Sequence, residues 1–159
     1  MVLVAVAGFV LDRVTKALAI SHLSSGAPTG SLLGGLVGLQ LLFNSGAAFS
    51  MGTSVTIVFS LLAIIALVFV LVWVWPRARG WVPSVCAGML AAGIAGNLAD
   101  RLLRPPGVLR GHVVDFIAVR HFAVFNVADA FITCAAVLFI AYMLFSDPRP
   151  ADEDARGDS

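Results

Sequence analysis

VTIVFSLLAIIALVFVLVWVW, running from Val55 to Trp75, is 21 residues without a formal charge. At 1.5 Å of rise per residue, a helix of that length crosses a hydrocarbon core of about 30 Å. This stretch puts the chain in a membrane, and its neighbours agree. Trp81 to Ala99 is 19 residues with no charge, and Phe122 to Phe145 is 24 residues interrupted only by Asn126 and Asp129. Met1 to Ile20 is a fourth, less clean candidate, because Asp12, Arg13 and Lys16 fall in its second half. Its other reading, a secretory signal peptide, is disfavoured: no basic residue precedes the apolar stretch and three charges interrupt it. The expected fold is an all-α membrane protein, a four-transmembrane-helix bundle. Residues 1–146 form its single domain, with spans at about 1–20, 55–75, 81–103 and 122–145.

Composition supports the same class. Of 159 residues, 60% are hydrophobic and 12% charged, against roughly 45–50% and about 25% in a soluble domain. Mean hydropathy is +0.99. A disordered chain, a basic nucleic-acid binder and a water-soluble globule are excluded. Of nine acids, Asp147, Asp152, Glu153, Asp154 and Asp158 lie in the last thirteen residues, so 147–159 reads as an acidic, solvated tail. Only Asp12, Asp100, Asp115 and Asp129 remain for the first 146.

The short link between the second and third spans carries Arg77 and Arg79, whereas Ser21 to Ser54 holds no Lys or Arg. By the positive-inside rule the arginine link, the tail and both termini are cytoplasmic. Arg104, Arg110 and Arg120 then lie in an outer connection, where local duties are expected of them. Cys86 and Cys134 sit inside spans and read as small residues packed between helices rather than as a disulfide or metal site. Gly88, Ala92 and Gly96, at four-residue spacing, read as a helix-packing face.

The polar residues flank the first and third connections, which share one face of the membrane. Asp12 and Lys16 are i,i+4, and Asn97, Asp100 and Arg101 are i, i+3, i+4. Asn44 and Gly46 end the first connection, Asp115 lies in the third, and Asn126 and Asp129 open span four, three apart. Seventeen residues separate Asp129 from the inner end of its helix inclusively, which puts it roughly 24 Å up, just beneath the outer surface. Asp12 with Lys16, and Asp100 with Arg101 or Arg104, read as ion pairs. Asp115 and Asp129 have no basic residue at helical spacing, and an unpartnered acid beside hydrocarbon is a functional candidate. Two close carboxylates share one proton, so one can act as general base on water while the other protonates a carbonyl oxygen. Zinc held by His112, Asp115 and His121 would be an improvised site. A Ser–Lys dyad would need Lys16 to leave Asp12.

These motifs resemble those of the lipoprotein signal peptidases, the type II signal peptidases of bacteria. The resemblance rests on Asp12-Arg13-Val14-Thr15-Lys16, Asn44-Ser45-Gly46-Ala47-Ala48-Phe49, Gly96-Asn97-Leu98-Ala99-Asp100-Arg101, Val113-Val114-Asp115-Phe116 and Phe125-Asn126-Val127-Ala128-Asp129, in order over most of the chain. It implies an intramembrane aspartic endopeptidase in the bacterial cytoplasmic membrane, blocked by globomycin. Its partners would be lipid-modified prolipoproteins, cleaved on the N-terminal side of the diacylglyceryl-modified cysteine, and membrane lipids. It implies no cofactor, metal or nucleic acid, and a monomer. The catalytic aspartates map onto Asp115 and Asp129, and supporting positions onto Asp12, Lys16, Asn44, Gly46, Asn97, Asp100, Arg101 and Asn126. It also implies a small β-containing extracytoplasmic region, with Leu39 to Asn44 after the Gly34-Gly35 turn as one strand. Two departures stand out. Eleven residues precede Asp12, leaving open a start upstream of Met1, and Phe122-Ala123 replaces the aromatic-Pro common before the last motif.

Two readings from other classes remain. A small proton- or cation-coupled transporter would use the same acids and need a wet path to both faces, which the ion-free inner halves of the spans oppose. A structural subunit would tolerate replacement of the acids.

Overall fold

The computed structural model describes residues 1–25, 29–32, 35–46 and 52–146. The acidic tail, Ala47-Ala48-Phe49 and Gly34 lie outside the described residues. The chain runs α1 (Val2–His22), β1 (Thr29–Leu32), β2 (Val37–Asn44), α2 (Gly52–Phe69), α3 (Trp81–Leu103), β3 (Val113–Val119) and α4 (Val127–Phe145). Past Phe69, α2 widens into a π-helical turn over Val70–Val74 and tightens to a 3₁₀ turn over Trp75–Arg77. Among the described residues, three helices are long and apolar enough to cross a membrane: Val55–Arg77, Trp81–Leu103 and Val127–Phe145. α1 is of similar length but holds Asp12, Arg13 and Lys16, so its composition does not by itself mark it as a span.

α3 is the central helix. Its small residues let its neighbours approach closely, as expected where packing rather than hydrophobicity joins helices in lipid. The predicted Gly88, Ala92, Gly96 stripe faces α1. A Cβ on Gly88 would meet the Met1 carbonyl at 2.8 Å, and the one on Ala92 lies against Gly8. Gly93 turns instead to α4, against Ala128 and Ile132. Cys86 is buried with Val82 and Ala135. Cys134 is exposed, so the expectation that both cysteines pack between helices holds for one; Cys134 points off the outer side of α4.

Span four begins later than hydropathy suggests. Residues 122–126 are not helical: Phe125 pairs with Ile117 through N–H···O bonds of 2.8 and 3.0 Å, and α4 starts only at Val127. The predicted start at 122 is therefore corrected by five residues. The chain at Phe122–Phe125 is apolar, so it extends the hydrophobic run, but its backbone is committed to β3. The connections also hold more sheet than expected. β1, β2 and β3 form an antiparallel three-stranded sheet in that order, with Asn44 opposite Val113 and Leu42 opposite Asp115. The predicted strand at Leu39–Asn44 falls inside β2, while β3 comes from the third connection.

Candidate active site

Five elements deliver the polar residues to one place. α1 buries the stripe Gly8, Asp12, Lys16 and Ala19, spaced four, four and three apart, so its charges face inward. Asp12 and Lys16 are 0% exposed, while Val10, Val14 and Leu18 on the same helix are about half exposed. The Lys16 ammonium donates to Asn97 Oδ1 at 2.9 Å and forms ion pairs with Asp12 Oδ2 at 2.9 Å and Asp100 Oδ2 at 3.0 Å. A buried ammonium is tolerable only when opposite charge meets it in this way. Lys16 stays beside Asp12, the contact that a Ser–Lys dyad would have to break.

Asp100 is the second anchor. Its Oδ1 accepts from Arg13 Nη1 and Arg104 Nε, both at 2.5 Å, and its Oδ2 accepts from the Val114 N–H at 3.3 Å. The predicted partner Arg104 is there. Among the described residues Arg101 makes no ion pair with Asp100, and Arg13 takes that place instead. Gly111 lets the third connection fold back over the end of α3, its N–H bonded to the Arg101 carbonyl at 3.1 Å. A Cβ there would collide with the carbonyls of Asp100, Arg101 and Arg104. β3 therefore starts against Asp100, with Val114 fully buried and Asp115 1% exposed.

Asp115 meets amides, not cations. Asn44 Nδ2 donates to its Oδ2 at 2.7 Å and Asn126 Nδ2 to its Oδ1 at 2.6 Å. The Asn44 amide is itself turned by the Gly46 N–H, which donates to Asn44 Oδ1 at 2.7 Å. Burial pushes the Asp115 carboxyl up to about 6, and the charge of Asp129 adds to that. The two amide donors and the Lys16 charge pull the other way.

Asp129 is the third residue of α4 and closes a capping box with Asn126. The Asp129 N–H donates to Asn126 Oδ1 at 3.0 Å, and the Asn126 N–H donates to Asp129 Oδ2 at 3.1 Å. Asp129 Oδ1 accepts from Asn97 Nδ2 at 2.7 Å. A second carboxylate serves the same helix end: the Ala128 N–H donates to Asp12 Oδ1 at 3.0 Å. Gly96 makes this possible, since any Cβ on it would fall 2.5 Å from Asp12 Oδ2. The helix dipole favours negative charge at this end of α4.

Asn126 is the hub. It is fully buried, and its Nδ2 donates both protons, to Asp115 Oδ1 and to Asn97 Oδ1 at 3.1 Å. Asp115 and Asp129 are thus tied through one side chain, and neither takes an ion pair among the described residues. The Arg101 charge faces Asp129, Asp115 and Asp100. Its Nη1 reaches the Asn97 carbonyl at 3.5 Å, and its buried Nε has no hydrogen-bond partner among the described residues. No group of three His, Cys, Asp or Glu that would hold a metal ion forms among the described residues. All ten predicted site residues lie in this network. It also contains Arg13, which sequence spacing does not reveal, because its partner Asp100 is 87 positions away.

The chain is similar to proteins named lipoprotein signal peptidase. The chain is 41% identical over 147 residues to the lipoprotein signal peptidase of Rhodococcus jostii (strain RHA1), covering 91% of this chain and 73% of that one. It is 42% identical to the lipoprotein signal peptidase of Leifsonia xyli subsp. xyli, covering 89% and 65%, and 44% identical to that of Mycolicibacterium smegmatis, covering 85% and 57%. The chain thus spans less than two thirds of the length of these last two relatives. Its fold is similar to that of a bacterial membrane enzyme solved by the in meso method, with a TM-score of 0.71, 26% identity, and coverage of 94% of this chain and 92% of that one. The sequence profile described as signal peptidase (SPase) II matches residues 4–145. With that match over nearly the whole described chain, the protein belongs to the signal peptidase II family.

Proposed function

We propose that the chain is a prolipoprotein signal peptidase working as an intramembrane aspartic endopeptidase, with Asp115 and Asp129 as its two catalytic carboxyls. One observation carries the reading: two acids of a lipid-embedded chain are joined through the Asn126 side chain and are held by amides instead of cations. The other two acids, Asp12 and Asp100, are bound to basic groups.

The shared proton is assigned to Asp115, whose burial keeps it protonated up to about 6. Asp129, on the first turn of α4, is the base. As a water oxygen attacks the scissile carbonyl carbon, Asp129 accepts the water proton and Asp115 donates its own to the carbonyl oxygen. The tetrahedral diol then collapses: its hydroxyl proton returns to Asp115, the Asp129 proton passes to the leaving nitrogen, and the C–N bond breaks. The free Nε of Arg101 is a donor for the substrate backbone, and Asn97 and Asn126 fix the pair.

The substrate is a lipid-modified precursor, cleaved before its diacylglyceryl cysteine. Its acyl chains sit in the outer leaflet and its signal helix enters sideways. α1 is proposed as a fourth span, because it turns apolar side chains outward and buries its ions, the opposite of a helix in water. N-in, C-in topology in a bacterial cytoplasmic membrane, a monomeric state and globomycin sensitivity complete the proposal. The test is in vitro cleavage of a diacylglyceryl-modified precursor beside its unlipidated form. Only the lipidated form should be cut, and Asp115→Asn and Asp129→Asn should each abolish cutting while the bundle stays folded. Near wild-type processing by either variant ends the assignment.

A further inference from the structure

Among the described residues, the side chains in the network around the dyad come from α1, β2, α3, β3, α4 and the caps Arg104 and Asn126, and none from α2. Yet α2 carries two enclosed hydroxyls, Thr56 at 2% and Ser60 at 0% exposure. A hydroxyl shut away from water needs a partner. Inside a helix the usual one is the carbonyl four residues back, and Ser60 shares its one proton between that of Thr56 at 2.9 Å and the Leu109 carbonyl at 2.7 Å. Thr56 reaches outside its helix: its Oγ1 donates to the Ser45 carbonyl at 2.7 Å. Ser45 lies between Asn44, which holds Asp115, and Gly46, whose N–H orients the Asn44 amide. Gly46 has φ +79° and lies against Phe59, so a Cβ there would meet the ring at 2.8 Å. Thr56 and Phe59, three apart on one face of α2, therefore grip the Asn44–Gly46 turn at two points.

We propose that Thr56 is a positioning residue for the peptidase reaction, acting through the Ser45 carbonyl to hold the Asn44 amide on Asp115. The proposal rests on Asp115 being one of the catalytic carboxyls. Without the hydroxyl, the Ser45 carbonyl is released, the turn loses its fixed point, and Asp115 loses a donor that favours its ionised form. The other groups acting on Asp115 are unchanged: Asn126 and Asp129 from α4, Lys16 from α1 and Arg101 from α3.

The experiment is the pH profile of kcat and KM for a diacylglyceryl-modified precursor, using the full chain. Thr56→Val should lower kcat about tenfold at little cost in KM and move the alkaline limb to higher pH. Thr56→Ser, which keeps the hydroxyl, should restore both. Ser60→Ala removes an equally buried hydroxyl, tethered instead to the Leu109 carbonyl at 2.7 Å. It should lower stability and leave the limb in place. Because Thr56 acts through Asn44, adding Thr56→Val to Asn44→Ala should cost no further rate. An unmoved limb in Thr56→Val, or losses that multiply in the double variant, overturns the proposal. If Thr56→Val does not fold, Thr56→Ala replaces it; if neither folds, Thr56 is a folding residue and the proposal falls. Activity surviving in Asp115→Asn would sink the dyad itself, whereas inactive aspartate variants beside an unaffected Thr56→Val sink only the positioning role.

Discussion

Asp115 should make the protein less stable as pH rises, by an amount that its surroundings set. The carboxyl is 1% exposed, and burial lifts it from its ordinary 3.8 to about 6. A group whose folded value lies above its unfolded one holds its proton more tightly in the fold. Its stabilising contribution is complete below the unfolded value and is lost as pH climbs through the folded one. A gap of about two units corresponds to about 3 kcal/mol. The perturbation is Asp115→Asn, which is neutral at every pH. Asparagine offers one acceptor oxygen where the carboxyl offered two, so either Asn44 or Asn126 loses its partner. That costs about 1–3 kcal/mol independently of pH, so the slope decides and the offset does not. Unfolding free energies of both proteins would be measured by denaturant titration in micelles across this range. The wild type should lose about 2 kcal/mol more than the variant between roughly pH 4 and pH 7.5, the rest of the difference falling below pH 4. Parallel curves would refute the reasoning, because they would mean that folding does not change the proton affinity of Asp115.

Three further outcomes follow from the same network. Gly96→Ala pushes a methyl into Asp12 and should strip the Ala128 cap and strain the Lys16 pair. A loss of about 1–3 kcal/mol is expected, read by thermal unfolding, along with lower cleavage. Lys16→Met leaves Asp12 and Asp100 buried without their common cation and should cost about 3–5 kcal/mol, visible as loss of folded yield; Lys16→Arg should not restore it, since the guanidinium is larger and flat. Asn126→Ser keeps an oxygen for the Asp129 N–H but removes both amide donors. It should be about 1 kcal/mol more stable than Asn126→Ala, while the two lose activity alike. Equal stability of that pair would remove the capping role from Asn126.

What sequence reveals here depends on how far apart the partners lie. Asp12 and Lys16 are i,i+4, so their pairing is legible, and so is Arg104 beside Asp100. Long uncharged runs mark three spans because hydrocarbon thickness sets a minimum length. Arg13 with Asp100 is invisible in the same text, since nothing local encodes a contact across 87 positions. The start of α4 was legible in principle. Asn126 and Asp129, three apart, are a capping pattern, yet hydropathy runs through Phe122–Phe125 and hides it. Thr56 and Ser60 vanish for a related reason: two hydroxyls hardly lower the mean hydropathy of a run that otherwise reads as oil. The third strand depends on pairing with β2, which only the folded connection supplies.

The Ala128 N–H is capped by Asp12, a residue 116 positions earlier. The ribosome makes these two partners far apart in time: α1 is complete long before α4 has been synthesised. Even once α3 has been made, the nascent protein holds Asp12, Lys16 and Asp100 but has neither Asn126 nor Asp129. No chain halted before α4 contains both carboxyls. In the reading proposed above, cutting therefore waits for α4: a nascent copy halted before it has no pair of carboxyls to cut with.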